Sequence, residues 1–97
     1  MDEEIRITEE EGEGSWLFRV LITGEGDSST EHRVTLKESD YRRLTAGKIS
    51  PARLVELSFK FLLEREPKET IISRFDLPVI SRYFPEYEEV IAQHLGG

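Results

Sequence analysis

The chain has 97 residues, 37% hydrophobic and 34% charged, which is enough apolar material for one domain's core beneath a heavily charged surface. It has no cysteine, which excludes disulfides, zinc–thiolate sites and thiol chemistry. Its net charge of −7 disfavours nonspecific binding to nucleic acid, which depends on neutralising phosphates.

The start, "MDEEIRITEEEGEG", is acidic and lacks the apolar stretch of a secretory signal. No apolar run approaches the roughly 20 residues of a membrane helix. A cytoplasmic protein with no membrane contact is the expectation. Charge is unevenly spread. Residues 1–40 hold twelve acids and four bases, residues 41–82 five acids and nine bases, and residues 83–97 three acids and no base.

The first forty residues alternate with the period of two expected of strands. "EIRIT" sets Ile5 and Ile7 on one face, "WLFRVLIT" sets Trp16, Phe18, Val20 and Ile22, and "HRVTLK" sets Val34 and Leu36. The connections "EEEGEGS" and "GEGDSST" supply turn formers. These signals predict a three-stranded antiparallel meander with residues 16–23 in the centre.

Ser39 is placed to cap a helix over about residues 40–46, stopped by Gly47. Ser50-Pro51 starts a second helix, "ARLVELSFKFLLERE", running to Pro67. Arg53, Glu56, Lys60 and Glu64 form its narrow polar stripe, and Leu54, Val55, Leu57, Phe59, Phe61 and Leu62 cover most of the rest. Short helical segments follow over about 68–74, from Pro78 and from Pro85. The last has Glu86, Glu88 and Glu89 in its first turn and Tyr87, Val90, Ile91, His94 and Leu95 on its apolar stripe. The predicted fold is α+β, a single domain over residues 1–97. The meander is followed by a helical C-terminal half packed on one sheet face, with a frayed acidic N-terminus and frayed Gly96-Gly97. Trp16, Phe59 and Phe61 are expected in the core.

"VTLKESDYRRLTAGKISPARLVELSFKFLLEREPKE" and "FDLPVISRYFPEYEE", over half of the chain, resemble a family of small uncharacterised bacterial proteins. The resemblance implies a bacterial cytosolic source and carries no activity with it.

Candidate sites are few. "TIISRFDLPVISRYFPEY" suggests a helix-turn-helix, but its spacing fails. With the turn at Asp76 the core position of the second helix falls on Arg82, and Pro85 ends that helix after about two turns. The G-x-G-x-x-S of "GEGDSS" precedes a strand rather than a helix, and Glu25 and Asp27 repel phosphate. The acidic turns lack calcium-loop spacing. His32 has core parity near the sheet's edge, and neither it nor His94 has a partner acid or nucleophile placed by spacing. No cofactor, metal or catalytic residue is therefore assigned.

One feature stands apart. Arg6, Arg19, Arg33 and Lys37 all have the parity opposite to the core set, together with Leu17, Leu21, Thr8, Thr23 and Thr35. Leu17, Arg19, Leu21, Arg33 and Lys37 form a candidate interaction face on the open side of the sheet. Its mixture of leucine and arginine suits a protein partner or a second copy of the chain. The ranked expectations are a noncatalytic cytosolic interaction or regulatory module, then a nucleic-acid-binding protein using the basic segment 41–82, then a small enzyme of undefined class.

Overall fold

The computed structural model describes residues 3–26 and 28–96. Expected fraying at Met1, Asp2 and Gly97, and Asp27 in the "GEGDSS" loop, lie outside them. The fold is α+β. Strands β1 (Glu4–Gly12), β2 (Ser15–Thr23) and β3 (Ser29–Lys37) form the antiparallel meander. A helical segment follows: α1 (Glu38–Thr45), α2 (Pro51–Leu63) and a 3₁₀ turn at Lys68–Thr70. A short strand, β4 (Arg74–Asp76), then a 3₁₀ turn at Leu77–Val79, α3 (Ile80–Tyr83) and α4 (Tyr87–His94) complete the chain.

The fourth strand corrects the expected three-stranded sheet. β4 pairs with β3 in parallel, giving a mixed sheet of order β1-β2-β3-β4. A parallel neighbour requires a long crossover, and α1 and α2 supply it. The segment expected to be helical over 68–74 makes one 3₁₀ turn and then extends. Ile71 and Leu77 are buried and Phe75 packs against the core, while Ile72, Ser73 and Arg74 are exposed. So short a stretch carries no clear period of two, and pairing with β3 makes it a strand.

Local chemistry explains the boundaries. The turn between β1 and β2 is two residues, Glu13-Gly14, and Gly14 takes the left-handed φ of 68° that such hairpin turns favour. α1 begins directly from β3, two residues earlier than expected from a Ser39 cap. The Glu38 amide donates to the Gly14 carbonyl at 2.9 Å, and the acids Glu38 and Asp40 occupy the positive end of the helix. Ser39 lies inside the helix and caps nothing. α2 starts as expected: Ser50 Oγ accepts from the Arg53 amide at 3.1 Å, with Pro51 at the first position. It ends at Leu63, short of Pro67, because the Arg65 and Glu66 amides both turn back to the Leu62 carbonyl at 2.9 Å.

The core lies between one sheet face and the helices. Phe18, Val20, Ile22, Val34 and Leu36 meet Leu54, Val55, Phe59, Phe61 and Leu62 of α2, with Leu77, Ile80, Tyr87 and Ile91 closing it. Phe59 and Phe61 are buried as expected. Trp16 is only half-buried, at the core's rim, where it meets Tyr41 edge-on with ring centres 5.4 Å apart. His94 is exposed, so the apolar stripe of α4 is Tyr87, Val90, Ile91 and Leu95. Inside, Ser58 Oγ donates to the Leu54 carbonyl at 2.7 Å, so the Tyr87 hydroxyl 2.6 Å away must be the donor to Ser58. Burial raises the Tyr87 hydroxyl well above the ordinary tyrosine pKa. No described helix is long and apolar enough to cross a membrane.

Candidate interaction face

Partners across a sheet share a face. The pairing Glu10–Leu17–Thr35–Asp76, Thr8–Arg19–Arg33–Arg74 and Arg6–Leu21–Glu31 therefore lays these residues in rows on the side away from the helices. Arg19, Arg33, Lys37 and Leu21 are exposed there, Leu21 to 38%, and Leu17 is half-buried by its neighbours. The candidate residues thus share one surface, with Lys37 at its end beside Ser15.

The middle row contains an addition that sequence patterning does not supply. Arg74, read as helical from sequence, sits in register with Arg33, so three arginines lie side by side across β2, β3 and β4. Like charges directly opposite each other destabilise a sheet. Arg19 has a counter-ion, Glu31, at 3.5 Å, and Arg6 has Glu4 at 3.0 Å. Among the described residues Arg33 and Arg74 have no ion-pair partner. The nearby Asp76 carboxylate instead accepts from the Thr35 hydroxyl at 2.6 Å. Beside the row is an open depression of about 320 Å³ lined by Arg6, Thr8, Arg19, Leu21 and Glu31.

Arg33→Gln, which removes the central charge and keeps a polar side chain, should therefore raise the unfolding free energy by ~0.2–1 kcal/mol. The gain should shrink as salt screens the row, and Arg33→Lys should not show it. Urea melts of the three proteins at low and high salt measure this; a destabilised Arg33→Gln would mean the arginine is a structural support.

The row is held by the β3–β4 junction. His32, 2% exposed, has core parity as expected but is not at an edge, because β4 covers that side of β3. Its Nδ1 donates to the Ile72 carbonyl and its Nε2 meets Thr30 Oγ1, both at 2.9 Å. The Arg33 amide donates to the Ser73 carbonyl at 2.7 Å. These bonds carry the chain into β4. His32 is accounted for as a structural residue.

Other candidate chemistry does not assemble. The helix-turn-helix stretch folds as β4, a 3₁₀ turn and the four-residue α3. Most bases of segment 41–82 are paired: Arg42 with Glu38, Arg43 with Asp40 and Glu88, Arg53 and Lys60 with Glu56, Arg65 with Glu64 and Glu86, and Lys68 with Glu3 and Glu69. Hydrogen bonding to Glu88 raises the Arg43 pKa, and hydrogen bonding to Glu69 raises that of Lys68. An apolar groove beside Ile72, Phe75, Val79 and Tyr83 has about 20 Å³ of room, enough for about one water. No group of three or more His, Asp or Glu among the described residues is placed to hold a metal ion. Compared with protein-family models, curated proteins and solved structures, the chain matches none.

Proposed function

We propose that the protein is a noncatalytic cytosolic interaction module whose open sheet face takes an acidic surface of a protein partner. The observation carrying this reading is the in-register row Arg19–Arg33–Arg74, of which only the first has a counter-ion among the described residues. Such a row costs stability in the free protein and is relieved when carboxylates approach it. Arginine suits the task because its planar fork pairs with carboxylates bidentately. Leu21, in the depression beside the row, adds an apolar contact. The protein's overall negative charge opposes an acidic partner only at long range, and physiological salt screens charges beyond about 8 Å.

Nucleic acid is the second reading, and the arginine row itself keeps it in play. Against it stand the neutralised bases of segment 41–82 and the absence of an aromatic side chain from the row and its neighbours, where single-stranded nucleic acid would stack.

Leu17→Glu with Leu21→Lys tests the apolar share of the face. The double variant should keep the wild-type melting profile within about 1 kcal/mol, since neither side chain is in the core. It should lose binding to a glutamate- and leucine-containing peptide, read by calorimetry beside duplex DNA at the same salt. Equal binding by wild type and variant, or tighter binding of the duplex, contradicts the reading. Light scattering across a concentration series shows whether the acidic surface is that of a second copy.

A further inference from the structure

We infer that β1 accepts an extended, basic-apolar peptide as a fifth strand, laid between the sheet edge and α2. β1 is an edge strand nine residues long. Antiparallel pairs alternate between residues that exchange both backbone bonds and residues that exchange none. Gly12 and Ser15 close the two-residue turn and form a bonded pair, so Glu10, Thr8, Arg6 and Glu4 also bond to β2. The same alternation carried to β3 leaves the Arg33 amide pointing outward, and that amide does donate to Ser73 on the far side. The outward groups of β1 therefore belong to Ile5, Ile7, Glu9 and Glu11. Among the described residues none of these outward groups has a backbone partner.

An open edge alone calls for no ligand, and acids often serve to keep edges apart. A second observation gives this one a place for side chains. An open cleft of about 370 Å³ lies alongside, lined by Ile5, Ile7, Ser50, Ala52, Arg53 and Glu56. A strand added to β1 would point alternate side chains into this cleft, the arrangement by which strand addition gains specificity. The apolar floor formed by Ile5, Ile7 and Ala52 selects apolar residues there.

Charge selects the rest. Glu9, Glu10 and Glu11 follow in the same strand, all exposed and with no ion-pair partner among the described residues. Lysine or arginine on the added strand would face them. A second copy of β1 fits poorly. Full-length antiparallel pairing of two copies sets Ile5 against Glu11 and Ile7 against Glu9. The occupant is thus an extended segment of another protein, apolar at alternate positions in one half and basic in the other. Its chemistry is opposite to that expected of a partner for the arginine row, and the two sites are independent.

The test is an NMR titration with amide exchange. The probe is a short synthetic peptide with valines at alternate positions in one half, lysines in the other and threonine elsewhere. Both orders of the halves are used, since parallel and antiparallel strands present them oppositely. In one order, the amides of Ile5, Ile7, Glu9 and Glu11 should become protected, while those of Arg6, Thr8 and Glu10 stay as they were. N-methylation of the peptide at alternate amides should weaken binding roughly tenfold or more, the worth of one or two lost backbone bonds. Glu9→Pro should do the same, because it removes an outward N–H from an edge strand that tolerates proline. The methylated peptide on wild type decides the matter should Glu9→Pro fold poorly. Protection that never appears at those four amides overturns the proposal, as does a methylated peptide that binds equally. Protection that grows with protein concentration alone also overturns it, in favour of a second copy. None of these outcomes alters the response of Arg33 and Arg74 to acidic ligands.

Discussion

Phe61→Ala should lower the unfolding free energy by ~3–5 kcal/mol, the usual loss for a truncated buried phenylalanine. The side chain is 3% exposed on α2. It meets Phe84 and Tyr87 edge-on, with ring centres 5.8 and 5.4 Å away. The Arg65 guanidinium carbon lies 3.6 Å from its ring centre, and Arg65 also reaches Glu86 at 3.1 Å. One ring thus joins α2 to the segment containing α3 and α4, and its removal leaves a void that no short loop can fill. In a domain with roughly 5–15 kcal/mol of stability the loss is a large share. Urea denaturation of wild type and variant gives the number. A midpoint left unchanged would mean that α2 packs with a different face.

His32→Leu should cost ~1–3 kcal/mol while keeping the bulk against Phe59, whose ring centre lies 5.5 Å away. The substitution removes the only side-chain donor to the Ile72 carbonyl among the described residues and strands the Thr30 hydroxyl. The loss should be local before it is global. β4 is three residues long, and the His32–Ile72 bond anchors its approach to β3. Hydrogen exchange should therefore show the Arg33 amide, bonded to Ser73, opening faster, with the β1–β2 ladder unchanged. An Arg33 amide as protected as in wild type would show that β4 holds without the histidine. A freed β4 would also take Arg74 out of the arginine row, which links this core residue to the open sheet face.

The meander and α2 are legible in the sequence because each repeats its signal. Trp16, Phe18, Val20 and Ile22 give four turns of a period-two pattern, and α2 has a serine cap, a proline and thirteen residues in which to repeat. The face bearing Leu17, Arg19, Leu21, Arg33 and Lys37 follows from the same parity. What was not legible depends on tertiary contact. β4 has three residues, too few for a period, and is a strand only because β3 offers it an edge. Arg74 therefore reads as one more helical base until the parallel pairing sets it beside Arg33. The start of α1 follows the same logic: the Gly14 carbonyl, distant in sequence, replaces the cap that Ser39 was expected to supply. Trp16 has core parity, yet near the start of β2 it meets Tyr41 of α1 edge-on and is only partly covered.

The arginine row is the centre of the functional proposal, and one titration addresses it directly. Guanidinium and amide NMR signals are followed as a glutamate-rich peptide is added at physiological salt to wild type and to Arg33→Gln with Arg74→Gln. The wild type should shift at Arg19, Arg33 and Arg74 and at the neighbouring Thr8 and Thr35, with the remaining arginines still. The double variant should bind at least about tenfold more weakly while melting no lower than wild type. Shifts spread evenly over all the arginines, or an unfolding midpoint that falls when the two charges are removed, would contradict the account.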